Sequence, residues 1–240
     1  MKIIVWNCNM AFRKKVQYIS VLKPDIMIIP ECECPEKMVF ENEEAKPFQS
    51  LWHGTNNNKG IGIFSFNNFE MKELDCHNKE FKMIIPIQVQ KGHFQFNLFA
   101  IWANNVLDKK NQYVGQIWKA LHHYNDLFKE NASILAGDFN SNTIWDQPRR
   151  VGNHTHVVNL LSDYDIHSCY HKHFNLCQGK EKHSTLYMYR HKNKGYHIDY
   201  CFASNSLIKN LDSVEVGKFK AWSKYSDHVP LIINFEEKIE

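Results

Sequence analysis

In this sequence, side chains able to move protons or hold charge stand where apolar runs stop. Asn7 follows Lys2-Ile3-Ile4-Val5-Trp6, and Glu31 follows Ile26-Met27-Ile28-Ile29-Pro30. Asp138 closes Ser133-Ile134-Leu135-Ala136-Gly137, Asp199 follows His197-Ile198, and Asp227-His228 stand immediately before Val229–Phe235. Carboxylates and imidazoles are the usual agents of proton transfer, and histidine is the side chain that titrates nearest neutrality. A strand end fixes such a group on rigid backbone while the loop after it opens a cleft. Asp and Asn also begin turns routinely, so one such residue says little. The repetition of the pattern is what points to a site. Asp199 adds to it, because a carboxylate set in an apolar strand is costly unless it is paired.

The elements that position these residues are legible from periodicity. Lys2–Trp6 and Ile26–Ile29 read as buried strands, separated by a helix pattern over 12–22 with Phe12, Val16, Ile19 and Leu22 on one stripe. Strand, helix, strand is a βαβ-like opening. Segments 60–66, 83–90 and 94–102 read as successive strands, with Lys91-Gly92-His93 as a hairpin turn between the last two. A second helix is predicted over 111–129, carrying Val114, Ile117, Trp118, Leu121, Tyr124 and Phe128, with Asn111 as its cap. Strands follow at 133–136, 186–189, 197–203 and 229–235.

Composition bounds the rest. The 240 residues are 43% hydrophobic and 23% charged, which suits an ordinary globular chain and excludes a disordered or collagenous one. No repeat or Gly/Ser-rich linker appears, so one domain over 1–240 is expected. No run approaches the roughly 18 apolar residues of a membrane helix. The opening residues turn polar too soon for a signal peptide, which predicts an unexported, cytoplasmic protein with no membrane partner. The seven cysteines are odd in number and lack a CxxC pair, as expected of free thiols. A formal charge of +3 is too small for a chain that coats a polyanion, so any nucleic-acid contact must be local.

Trp6-Asn7, the run ending in Glu31, Gly137-Asp138-Phe139-Asn140, Ile198-Asp199-Tyr200 and Ser226-Asp227-His228-Val229-Pro230-Leu231 stand in one order. In these blocks the chain resembles the endonuclease/exonuclease/phosphatase superfamily, over nearly its whole length. The resemblance implies an α/β protein, a four-layered α/β/β/α sandwich of two packed mixed sheets with flanking helices. It also implies hydrolysis of a phosphate ester with Mg²⁺ or Mn²⁺, hard ions that prefer oxygen ligands. Glu31 would be the principal metal ligand, with Asn7 beside it and Asp227 as a further ligand. Asp138 would activate water and Asn140 would hold water and phosphate in line. His228 would donate to the phosphate, and Asp199 would fix its imidazole.

The chain departs from that pattern at Trp102, where relatives carry a titratable Tyr or His, since an indole donates one hydrogen bond and does not titrate. Trp102 is either a packing residue or a stacking surface, and Asn105 could supply a phosphate contact. Asn9 replaces an Asp frequent in repair enzymes. Arg13, in the run Arg13-Lys14-Lys15, Arg149 and Arg150 beside Trp145, and Arg190 are further candidates for substrate binding, suited to a nucleic-acid strand. His154-Thr155-His156 lacks the spaced partners of a zinc site. The expected function is a monomeric metal-dependent nuclease acting on DNA or RNA. The alternatives are a phosphatase or phosphodiesterase of a small metabolite or lipid headgroup, and an inactive binding module on the same scaffold.

Overall fold

The computed structural model describes residues 1–38, 40, 45–105 and 112–236. One sheet contains β1 (Lys2–Val5), β2 (Ile26–Cys32), β3 (Gln49–Asn56), β4 (Lys59–Ser65), β13 (Leu211–Val216) and β14 (Leu231–Phe235), in the order β13-β14-β1-β2-β4-β3. The other contains β5 (Glu70–Glu73), β6 (Ile84–Lys91), β7 (Phe94–Trp102), β8 (Ser133–Asp138), β9 (Ile166–Ser168) and β12 (Asp199–Ser204), in the order β5-β6-β7-β8-β12-β9. A short hairpin of β10 (Leu186–Tyr187) and β11 (Gly195–Tyr196) stands apart. Both large sheets are mixed: β1 runs parallel to β2, and β7 parallel to β8, while their other pairs are antiparallel.

Burial on both faces explains the unbroken apolar runs. Val5, Ile28 and Ile63 of the first sheet meet Ile85, Leu98 and Ala136 of the second in the central core. Ile4, Met27, Ile29 and Phe64 point the other way, onto Phe12, Val16 and Ile19 of the segment containing α1 (Val16–Ser20). On the far side Phe99, Leu135 and Phe202 are covered by α2 (Val114–His123), α3 (Asn125–Glu130) and α4 (His154–Asp163), through Ile117, Leu121, Phe128, Val157 and Leu161. The order is helix, sheet, sheet, helix, as the resemblance implies. Short helices α5 (Cys169–Phe174), α6 (Asn205–Ile208) and α7 (Phe219–Trp222) complete the chain.

The predicted helix over 111–129 divides at Tyr124, which ends α2 with φ −95° and ψ 17°. Its proposed cap, Asn111, lies outside the described residues. The helix over 12–22 begins as a 3₁₀ turn, Phe12–Lys14, and is α-helical only over Val16–Ser20. The hairpin turn follows Lys91, and Gly92 takes the positive φ of 59° that it requires. All seven cysteines are free thiols. No helix among the described residues is long and apolar enough to cross a membrane.

Candidate active site

Chain direction brings the chemical residues to one end of the sandwich. Asn7 and Glu31 lie at the outgoing ends of the parallel strands β1 and β2. His228 precedes β14, which runs antiparallel to β1. In the second sheet Asp138 ends β8, and Asp199 opens the antiparallel β12 directly opposite it. Two hydrogen bonds then cross from sheet to sheet: Asn7 Nδ2 donates to Asp138 Oδ2 at 2.9 Å, and His228 Nδ1 meets Asp199 Oδ2 at 2.8 Å.

Asp138 is fully buried and receives three donors, Asn7 Nδ2, Asn140 N and Asn140 Nδ2, each at 2.9 Å. Asn140 adopts a left-handed φ of 47°, which folds its amide back onto the carboxylate two residues earlier. Gly137 is required beside it. Its φ is 150°, and a Cβ there would lie 1.8 Å from the Ile101 carbonyl of the neighbouring strand. Burial and the nearby Asp199 charge raise the Asp138 pKa to about 7, against the opposing pull of His228 and its hydrogen-bond donors.

Asp199 is also fully buried. Its backbone N–H donates to Thr185 Oγ1, while its Oδ1 has no partner among the described residues. Burial alone would push the His228 pKa down, but the Asp199 charge and hydrogen bond overcome it and raise it to about 10. The imidazole is therefore a cation at neutral pH, with Nδ1 committed to Asp199 and Nε2 left to donate. Trp6 Nε1 donates to the His228 carbonyl at 3.1 Å, and Ser226 Oγ ties the same loop to the Asn7 carbonyl at 2.8 Å.

The loop after Asn7 is strained. Asn9, Met10 and Ala11 all have positive φ, between 50° and 66°, a conformation that costs roughly 1–2 kcal/mol per residue. Lys15 Nζ holds it by donating to the carbonyls of Cys8, Asn9 and Met10 at 2.5, 3.1 and 2.8 Å. Asn9 Nδ2 in turn donates to Asp227 Oδ1 at 2.8 Å. Glu31 has a φ of 60° at a bulge in the β2–β4 pairing between Pro30 and Cys32, which re-aims its side chain. The half-buried carboxylate faces Lys59 Nζ at 3.1 Å, and that ammonium also lies 5.3 Å from the Trp102 ring.

The donor chemistry at this end fits a hard divalent cation. Glu31, Asn7, Asp138, Asp199 and Asp227 supply oxygen, and the unpaired Oδ1 of Asp199 is a buried acceptor in want of a partner. Asp138, Asp199 and His228 also place one donor atom each within 4.8 Å of one another, but the charged imidazole acts there as a hydrogen-bond donor. A second such group, His53, Glu73 and His77, joins the edge strands β3 and β5, with Glu73 contacting the two rings at 2.8 and 2.6 Å.

The sequence-predicted binding residues divide. Trp102 is 7% exposed and packs in the central core, which decides for packing over an open stacking surface. Arg13 is paired with the buried Glu33 at 2.7 Å, so its guanidinium serves the first turn of the helix segment. Arg150 donates to the Gln112 carbonyl at 3.3 Å, while Arg149, Arg190 and Asn105 are exposed and have no such tie among the described residues. His156 Nδ1 accepts from Gly152 N and Asn153 N at the start of α4, and the buried His154 contacts Ser141, so this pair is structural. Sequence reasoning gave no such positioning role to Thr185, Ser226, Lys15 or Lys59. Ser226 opens a recognised motif and Thr185 lies upstream of another, whereas the lysines carried no signal beyond charge.

Several solved structures share this architecture. An AP endonuclease from Archaeoglobus fulgidus matches with a TM-score of 0.71 at 19% identity, over 99% of this chain and 100% of that one. The 3' phosphatase NExo from Neisseria, solved with a product DNA hairpin, gives 0.72 at 17%, over 99% and 100%. The endonuclease domain of TRAS1, a telomere-specific non-LTR retrotransposon, gives 0.66 at 14%, over 99% of each chain. The chain has the endonuclease/exonuclease/phosphatase fold. By sequence, no family model and no curated protein matches it. What the comparison establishes for this endonuclease/exonuclease/phosphatase-fold chain is therefore architecture, and the chemistry must be argued from its own residues.

Proposed function

We propose that the chain is a divalent-metal-dependent phosphoesterase, acting first on phosphodiester bonds of nucleic acid. The observation that carries this reading is the pair of hydrogen bonds joining the sheets, Asn7–Asp138 and His228–Asp199, which gathers a base near neutrality and a buried cation into one cluster. Glu31, Asn7 and Asp227 would hold the ion, Mg²⁺ or Mn²⁺, which when bound neutralises phosphate charge and favours departure of the leaving oxygen. Asp138, with its pKa near the working pH, accepts a proton from the attacking water, and Asn7 and Asn140 keep its carboxylate in place. His228 donates from Nε2 to a phosphoryl oxygen as negative charge builds there, and Asp199 holds the ring in tautomer and charge. The DNA named with the Neisseria relative supports nucleic acid over a small metabolite.

Hydrolysis of single- and double-stranded DNA and RNA oligomers, measured beside a panel of small phosphomonoesters with added Mg²⁺ and with chelator, tests the reading. Oligomer cleavage abolished by chelator is expected. Turnover confined to small monoesters would replace it with the phosphatase alternative, and no turnover of either class would leave a binding module.

A further inference from the structure

A cleft of about 670 Å³ opens between the hairpin arm and α7, beside the catalytic end of the molecule. Lys182, His183, Lys192, Lys218 and Lys220 line it, and no carboxylate among the described residues does. The four lysines are exposed, and none of their ammonium groups makes a hydrogen bond or ion pair with a described residue. Four unpartnered positive charges around one concavity exceed the formal +3 of the whole chain. Like charges gathered in this way repel, and a multiply charged anion is what relieves them.

The wall is aromatic as well as basic. Tyr187 and Phe219 both line the cleft, with ring centroids 4.7 Å apart. Lysines around aromatic faces are the pattern that follows a nucleic-acid strand, phosphates on the charges and bases on the rings. The cleft is also tied to the reaction centre. Leu186 pairs with His228 across an isolated bridge, and Tyr187 N donates to the Asp227 carbonyl at 2.7 Å. One residue of backbone thus separates the cleft wall from the proposed phosphate donor.

We infer that this lysine cleft grips the single-stranded flank of a polynucleotide substrate, taking the phosphates next to the one being hydrolysed. The inference rests on the phosphodiesterase reading and sharpens it, since a substrate with no flank forgoes the cleft. It makes the chain selective for strands over short phosphoesters.

The test compares wild type with the exposed-lysine variant K182Q/K192Q/K218Q/K220Q. Binding of a labelled single strand of about 20 nucleotides is followed by anisotropy between roughly 50 and 200 mM salt. Each lost phosphate contact should flatten the logarithmic salt slope by about 0.7, so four should remove nearly 3. The KM for the strand should rise at least tenfold relative to that for bis(p-nitrophenyl) phosphate, a diester too short to reach the cleft. An unchanged slope and unchanged relative KM overturn the inference. Displacement of the strand by inorganic tripolyphosphate at equal phosphate concentration also overturns it, by showing a small-anion site. Failure of the wild type to hydrolyse either diester, with the slope still flattened in the variant, sinks the enzyme reading and leaves the cleft as a binding site.

Discussion

Replacing Asp199 by Asn removes the charge that makes His228 a cation and keeps the space filled. The shift of His228 from 6.5 to about 10 means that the pair favours the protonated ring by on the order of 5 kcal/mol, comparable to the cost of breaking a buried ion pair. Because the folded pKa lies above the unfolded one, that stabilisation is fully present below pH 6.5 and is lost as pH rises through about 10. Across this window the native state holds a proton that the unfolded chain has released. The wild type should therefore lose up to about 1.4 kcal/mol per pH unit from this group alone. In D199N the buried ring keeps only the pull of the Asp138 and Asp227 charges, so its pKa should fall well below the wild-type value, in the direction in which burial drives His197 to about 4 nearby. Urea denaturation at a series of pH values reads the first effect, and the ring resonances of His228 by NMR read the second. Turnover at pH 8 should fall by about 10²–10⁴, the usual share of a positioned proton donor. Equal pH slopes in the two proteins, or a His228 ring that still titrates near 10 in D199N, would refute the coupling.

Three further perturbations probe the other arms of the site. D138N should lower turnover at least about a thousandfold at pH 8 and cost about 1–3 kcal/mol of stability, because both carboxylate oxygens accept hydrogen bonds and the new amide nitrogen must face one of those donors; turnover close to the wild-type rate would contradict this. K59M should free Glu31 from a half-exposed ion pair worth at most about 1 kcal/mol, so up to about fivefold less Mg²⁺ should be needed for activation, whereas E31Q should raise the requirement. A Mg²⁺ titration that is identical in both variants would remove Glu31 as a ligand. K15M deprives three carbonyls of one ammonium and should cost about 2–3 kcal/mol of stability together with turnover, through the Asn7–Asn9 loop; an unchanged melting temperature would show that this strained loop supports itself.

Legibility in the sequence tracked burial. Strands apolar on both faces, such as β2 and β8, announced themselves, and the polar residues that ended these runs are the ones the structure gathers at one end of the sandwich. The edge strands β3, β5 and β13 did not, because many of their side chains meet water, and β9 is only three residues long: Gln49-Ser50-Leu51-Trp52-His53 has neither a clean alternation nor an apolar run. The predicted roles of charged clusters fared worst, since a run of charges carries no information about distant partners. Arg13 looked like part of a basic surface until Glu33, twenty residues on, turned its guanidinium inward. Lys59, on the strand after an edge hairpin, gave no hint that it would meet Glu31 and the Trp102 face together. That last contact bears on chemistry. The buried Trp102 indole does not titrate, and the cation over it is the one facing the proposed metal carboxylate. Lys59 Nζ meets that carboxylate at Oε2, so a divalent ion held by Glu31 would compete with the ammonium for its charge, which is what the K59M titration reads.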